Sequence, residues 1–428
     1  MTATLRVVAT QAETDLNAQF EALKAGGATL IDLREAAFQS FKATGLPHRR
    51  IEEWKYTDLR AFAKSYEAPA TAASLEDVRA ALAAVDTFGD LARLRVVIAN
   101  GRLVADLSDL AGLAQAGVEV SDIATAGPEL FAAPEIAAAN PALALNTALL
   151  QGGAILRVRA GAEVEAPVEV VQLALGGATY ARLRVELAAG ARLTLIESFA
   201  GVQAPVNAVS DYDVADEATL VGARLIANTG SAPHLSTALI RLGARAEVRT
   251  LGFLVGTDFA RNQAFVTFAG EHSAAKLYGV TMVRADQLAD QTLVVDHAVP
   301  NCESREFFKT VIDGRAKGVY QGKIIVRPHA QKTDGRMMTQ ALLLSEDAEM
   351  ANKPELEIFA DDVQCAHGAT SGQIDEDLLF YLRARGIPEA EARTLLILAF
   401  LSEAIEEFGM DSVTEALEAR VRTWLAGS

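Results

Sequence analysis

Apolar residues recur every three to four positions through the first third of the chain. Alanine-rich segments with this spacing cover residues 12–23, 33–44 and 75–85, which predicts amphipathic helices there. Between residues 94 and 107 the pattern changes to two β-branched runs on either side of Asn100-Gly101, a strong signal for a tight hairpin turn. We therefore expect a helical domain over residues 1–145 that contains one small hairpin.

From residue 146 to residue 370 the chain alternates short strand-like runs with turns of small residues. Turn segments that begin at Gly161, Gly190, Glu217, Gly243 and His272 follow one another at spacings of 29, 27, 26 and 29 residues. Such a period is typical of a solenoid in which each coil packs on the next. A β-sandwich is the alternative, although it favours turns every ~8 to 12 residues. The pattern thus favours a mainly β fold with a parallel β-helix core.

Helical spacing returns after residue 370. Acidic residues at 375–377 precede an apolar run that ends at Arg383, Arg385 and Gly386, as expected of a helix with a complemented dipole and a glycine C-cap. Pro388 opens a second helix to about residue 408, and a third covers residues 413–425. We expect a helical domain over residues 371–428, in which the apolar run 395–401 is buried or forms a partner surface, with burial favoured.

Composition limits the cellular compartments and the classes of partner that are compatible with the sequence. The longest uninterrupted apolar run is far shorter than the ~18 residues that a membrane span needs, and the N-terminus lacks the pattern of an export signal. The net charge of −17 disfavours nucleic acid and anionic membranes as partners. The 2 cysteines form no CxxC pair and suggest no disulfide framework. These features predict a cytoplasmic protein.

Familiar catalytic motifs are missing from the sequence. It has no GxxxxGK[ST], GxSxG, HExxH or paired CxxC, so the chain is not itself a P-loop ATPase. His297, Cys302 and His329 remain as isolated candidates, and ordinary turn or core roles are the simpler interpretation for all three.

The segment DDVQCAHGAT, residues 361–370, places Cys365 two positions from His367. In an extended strand these side chains project from one face about 6.5 Å apart, a separation that one metal ion can bridge. Two ligands do not complete a metal site. From the spacing alone, a buried thiol beside a hydrogen-bonded imidazole is an equally good interpretation.

Three longer segments resemble the SufB/SufD family of iron–sulfur cluster assembly proteins. They are GLPHRRIEEWKYTDLRAF at 45–62, YQGKIIVRPHAQKTDGRMMTQALLLSEDA at 320–348 and PELEIFADDVQCAHGATSGQIDEDLLFYLRARGI at 354–387. The resemblance implies a right-handed parallel β-helix core flanked by N-terminal and C-terminal helical domains. It also implies a non-catalytic subunit of a cytosolic complex, paired with SufB through the β-helices and bound to the ATPase SufC through the C-terminal helices.

The resemblance assigns His367, and with less support Cys365, to an interface with SufB that takes part in cluster formation. SufB would supply the missing ligands for iron or a transient iron–sulfur cluster, and the isolated chain would hold no cofactor. We expect the isolated chain to form a homodimer in place of the SufB pairing. Two alternatives stay open: a purely structural partner of SufB and SufC, and a β-helix enzyme acting on carbohydrates.

Overall fold

The computed structural model describes residues 9–201, 204–227 and 230–427. Its α-helices lie before and after a long run of strands. They are α1 Gln11–Ala25, α2 Ile31–Thr44, α3 Leu59–Phe62, α4 Leu75–Val85, α5 Leu110–Gln115, α6 Pro141–Leu149, α7 Glu376–Ala384, α8 Glu389–Ile405 and α9 Asp411–Ala426. Short 3-10 turns cover Glu52–Trp54, Ala105–Leu107, Ile123–Thr125, Pro128–Phe131, Glu135–Ala137 and Glu406–Phe408. Among the helices in these ranges, none combines the length and apolar character needed to cross a membrane.

The strands between the helical regions form two long sheets. They are β1 Leu94–Ala99, β2 Arg102–Leu103, β3 Val118–Asp122, β4 Gly152–Val158, β5 Val168–Ala174, β6 Thr179–Leu187, β7 Arg192–Gly201, β8 Val206–Val214, β9 Thr219–Ile226, β10 His234–Leu242, β11 Glu247–Val255, β12 Phe259–Phe268, β13 Ala274–Val283, β14 Leu288–His297, β15 Glu303–Ile312, β16 Lys317–Val326, β17 Asp334–Leu343, β18 Glu349–Ile358 and β19 Gln364–Gly372. From β4 to β19 the chain alternates between the sheets, so that each strand pairs in parallel with the strand two places later. This is a parallel β-helix, and the mainly β prediction is confirmed.

The coil period comes from a turn with a left-handed residue. In five successive turns one residue has φ between 53° and 70°: Gly161, Gly190, Glu217, Arg245 and His272. Each of these residues precedes a strand of the ten-stranded sheet. The amide N–H of Glu217 donates to the carbonyl oxygen of Ala244 at 2.8 Å, which links one turn to the next coil. The turn predicted to begin at Gly243 has its left-handed residue at Arg245, two positions later than the period of the sequence indicated.

The predicted hairpin at Asn100-Gly101 forms, and its first strand joins the ten-stranded sheet while packing against α4. Strands β1 and β2 pair antiparallel on either side of it. Strand β1 also pairs in parallel with β5, and β3 pairs antiparallel with β4. These early strands therefore cover the first coil of the β-helix.

Helices cover the outer face of each sheet. The N-terminal layer buries Phe20, Phe38 and Trp54 against side chains of the nine-stranded sheet, including Phe259. The C-terminal helices α8 and α9 bury one side against the outer face of the ten-stranded sheet, which includes Phe253. In the apolar run 395–401, Ile397, Leu398 and Leu401 are buried in this layer, whereas positions 395 and 399 are exposed. The burial favoured from the sequence therefore holds for one side of the helix.

The space between the sheets, which we call the lumen, is mostly apolar but contains a polar cluster. Glu197 forms an ion pair with Arg224 at 2.8 Å and accepts hydrogen bonds from Ser210 at 2.6 Å and from Tyr212. A cavity of about 60 Å³ lies beside this cluster. Buried polar groups need such partners, so the lumen tolerates charge where neighbouring coils satisfy it.

Candidate functional site

The last coil leaves one end of the β-helix open. Strand β18 is the terminal strand of the nine-stranded sheet and β19 the terminal strand of the ten-stranded sheet. Each pairs with a single neighbour, β16 and β17 respectively. Their free N–H and C=O groups form an edge that can accept further strands.

Cys365 and His367 lie on β19 and belong to its lumen-facing side. In register, Cys365 is beside Gly335, which is beside Ser304, and His367 is beside Met337, which is beside Glu306. Ser304, Met337 and Glu306 are all buried in the lumen. Because side chains in register on neighbouring strands share a face, the pair lies where the lumen meets the open end. The alternation predicted for residues 365 and 367 is thus present in the fold.

The two side chains of this pair differ in environment. Cys365 is half-buried and packs against the lumen core, whereas His367 is exposed. Burial raises the pKa of the Cys365 thiol, and the negative charge of Asp334 raises that pKa further. The thiol is therefore protonated at neutral pH in this chain, and metal binding must displace its proton.

Glu306 is a carboxyl group that lies two strands inward from His367. Tyr320 donates to it at a long 3.5 Å, and its Oε1 has no hydrogen-bond partner among the described residues. Burial raises the pKa of Glu306 to about 8. Neither Met337 nor Glu306 was identified from the sequence. The coil period is the signal that points to them, because Met337 lies one coil and Glu306 two coils before His367.

His297 is a core residue. Its ring is fully buried, stacks on Phe268 with a 4.4 Å centroid distance, and places Nε2 3.1 Å from the Ser304 hydroxyl. Burial lowers the pKa of His297 to about 3, so the imidazole is neutral. These contacts agree with the core interpretation made from the sequence.

Cys302 and His329 do not join the pair on β19. Cys302 is buried in the lumen with Sγ 3.4 Å from the carbonyl oxygen of Pro300, and burial raises the pKa of its thiol. His329 is exposed in the turn after β16. The turn interpretation fits His329, but a core role does not.

Cys365 and His367 bring two possible metal donors to the open end. In the described part of the chain, no group of three or more His, Cys, Asp or Glu side chains could hold a metal ion. Imidazole and thiolate suit iron or an iron–sulfur cluster, but a complete site needs ligands from another molecule.

Two exposed apolar surfaces flank the open end and the C-terminal layer. Ile358 and Phe359 project at the end of β18, with Phe359 60% exposed. On α7, Leu378, Phe380 and Tyr381 are exposed, with Phe380 72% exposed. Contiguous exposed apolar groups are typical of surfaces that contact other proteins, so these two surfaces are candidates for such contacts.

Comparison with family models gives two adjoining matches. Residues 14–170 match the SufBD protein N-terminal region, and residues 170–400 match the SufBD core domain of the SUF system for FeS cluster assembly. Together these matches include the helical layer, the β-helix and the strand that carries Cys365 and His367.

Individual relatives agree with the family models. The chain is 30% identical to iron-sulfur cluster assembly protein SufD of Escherichia coli, over 91% of this chain and 92% of that protein. It is 28% identical to an iron-sulfur cluster assembly SufBD family protein of Synechocystis, over 98% of this chain and 96% of that one. A chloroplastic protein of Arabidopsis thaliana, ABCI7, is 31% identical over 53% of this chain and 49% of its own length.

Proposed function

The chain belongs to the SufBD family of iron–sulfur cluster assembly proteins and is a homologue of SufD, and from that membership we propose that it works as a non-catalytic subunit of a cytosolic complex with SufB and SufC. ATP hydrolysis in this complex belongs to SufC. This proposal replaces the carbohydrate-enzyme alternative, for which the family membership gives no support.

The observation that carries the proposal is the position of Cys365 and His367 at the open end. The free edge of β18 and β19 can pair with strands of SufB, and strand addition supplies main-chain hydrogen bonds along the whole edge. A partner strand beside β19 would bring its own lumen-facing side chains next to His367. In this arrangement the two proteins share one site for iron or a nascent cluster.

The number of donors in the pair supports a shared site over a preformed one. Two donors bind metal weakly, and the described residues contain no group of three or more possible metal ligands. The isolated chain should therefore purify with little or no iron, and the ligands from SufB should complete the site. His367 is exposed, so it is the donor that a metal reaches first.

We expect His367→Ala to leave folding and assembly with SufB and SufC unchanged but to lower cluster content sharply, at least fivefold. Cys365→Ala should lower it more mildly. The experiment reconstitutes clusters in the purified three-component complex and measures iron and acid-labile sulfide, after sedimentation has verified assembly. His329→Ala is the matched control, because it removes an exposed imidazole that lies in the turn after β16 and not on β19.

A correctly assembled His367→Ala complex with wild-type cluster content would overturn the shared-site proposal. The chain would then be a purely structural partner of SufB and SufC, which is the second alternative from the sequence. Loss of cluster content in the His329→Ala control would show that the assay responds to general damage.

A further inference from the structure

A second cavity lies far from the open end, between the N-terminal helices and the first coils of the β-helix. Its volume is about 640 Å³, which is within the usual size of small-molecule sites. Helices α1 and α2 form one wall, and the end of α6 with the segment near β2 forms the other. This cavity, which we call the α1/α6 pocket, is not used in the proposed function.

The wall of the α1/α6 pocket is apolar except for two arginines and a few neutral polar groups. Leu23, Ile123, Phe131, Leu149 and Leu150 supply much of the apolar surface. No aspartate or glutamate is among the described residues that line it. In a chain with a net charge of −17, a pocket with two guanidinium groups and no carboxylate is a local reversal of charge.

Both arginines are held in place by backbone carbonyl oxygens and not by acids. Arg34 donates from Nη1 to the carbonyls of Ala148 at 3.1 Å and Leu150 at 3.0 Å. Arg102 donates from Nη1 to the carbonyls of Ala70 at 3.1 Å and Asn100 at 3.0 Å. Carbonyl bonds orient a guanidinium group but leave its charge uncompensated, and each arginine keeps further N–H groups for a ligand.

A third guanidinium group lies behind the pocket wall. Arg182 is 1% exposed, and its Cζ is 5.1 Å from the ring centroid of Phe131. Its Nε and Nη1 have no hydrogen-bond partner among the described residues. Buried N–H groups without partners are costly. Asp211 offsets part of the charge of this guanidinium, which lies behind Phe131 as a further cation.

We propose that the α1/α6 pocket binds a single-chain amphipathic carboxylate, with the carboxylate against Arg34 and Arg102 and the alkyl chain along the apolar wall. Arginine pairs with carboxylates through two parallel hydrogen bonds. The alkyl chain gains free energy through burial against the leucine and aromatic side chains. The proposal is independent of the cluster site, because it uses no residue of the open end.

Calorimetric titration of the full chain with laurate, dodecanol and acetate tests the proposal. Dodecanol has the chain without the charge, and acetate has the charge without the chain. We expect laurate, kept below its micellar concentration, to bind at least tenfold tighter than dodecanol and at least a hundredfold tighter than acetate. No laurate binding, or equal binding of laurate and dodecanol, would overturn the proposal.

Two variants locate the site. Arg102→Gln should weaken laurate binding at least tenfold and leave dodecanol binding within twofold, which also verifies that the pocket is intact. Ala22→Phe narrows the pocket without touching either arginine and should weaken both ligands at least tenfold. Arg79→Gln removes an exposed arginine on α4 and serves as the matched control. Unchanged laurate binding in the Ala22→Phe protein would place the ligand elsewhere.

Discussion

Glu306 shows most clearly how burial in the lumen changes the ionisation of a side chain. A carboxyl group with an unpartnered oxygen is expensive to bury when it is ionised, and here the pKa rises to about 8. Below pH 8 the folded protein keeps the proton on Glu306. In the unfolded chain the same carboxyl loses its proton near its ordinary pKa of 4.5. This group therefore removes stability as pH rises from about 4.5 to about 8.

We expect Glu306→Gln to remove this pH dependence. The wild type should lose roughly 3 kcal/mol more than the variant between pH 5 and pH 8, as follows from the linkage of proton binding to folding. Urea unfolding at both pH values measures the difference. Glu303→Gln is the control, since that carboxylate lies on the same strand but is paired with Arg305. Parallel pH profiles of wild type and Glu306→Gln would contradict the raised pKa.

His297 and His329 should respond differently to truncation. His297→Ala removes a buried ring that stacks on Phe268, and the resulting cavity should lower the free energy of unfolding by about 2 to 4 kcal/mol. His329→Ala removes an exposed turn side chain and should change it by less than ~0.5 kcal/mol. Thermal or urea unfolding of both variants checks this, and equal losses would contradict the two assigned environments.

At the scale of elements, α7 presents apolar surface while α8 anchors the C-terminal layer. Lys309 of β15 reaches α8, where it pairs with Glu403 at 2.8 Å and lies over the Phe400 ring. Deleting the chain from Asp375 onward would thus uncover the outer face of the ten-stranded sheet. Single substitutions on α7 are the sharper test of the SufC contact.

We expect Phe380→Glu on α7 to abolish SufC binding and to leave SufB binding intact. Phe359→Glu at the open end should do the opposite, because it places a charge beside the free strand edge. Pull-down of each variant with purified SufB and SufC separates the two contacts. If both variants lose the same partner, the two surfaces belong to one interface.

Local signals predicted the elements better than they predicted the site. Helix α4 begins with Ser74 as a side-chain N-cap, and α7 with Asp375, so short-range sequence was sufficient there. The placement of Glu306 beneath His367 depends on a register between residues that are two coils apart. The apolar pattern also cannot predict a buried carboxyl group, because that pattern assumes that buried residues are apolar.

At the scale of the whole molecule, the β-helix is covered at one end and open at the other. The antiparallel strands β2 and β3 close the first coil, whereas β18 and β19 end both sheets with free edges. A free edge with apolar neighbours favours pairing with another copy when no other partner is present. A symmetric dimer is the simplest closed arrangement of two such edges.

We therefore expect the isolated chain to sediment as a dimer at micromolar concentration and Phe359→Lys to shift it to a monomer. Lysine beside a strand edge opposes edge-to-edge pairing, since its charge would be desolvated in the interface. Phe380→Glu is the control and should remain dimeric, because α7 lies outside the edge. The dimer should also dissociate as SufB is titrated in, since both partners compete for β18 and β19. A monomeric wild type, or a dimer that persists in the Phe359→Lys protein, would show that the open end does not drive self-association.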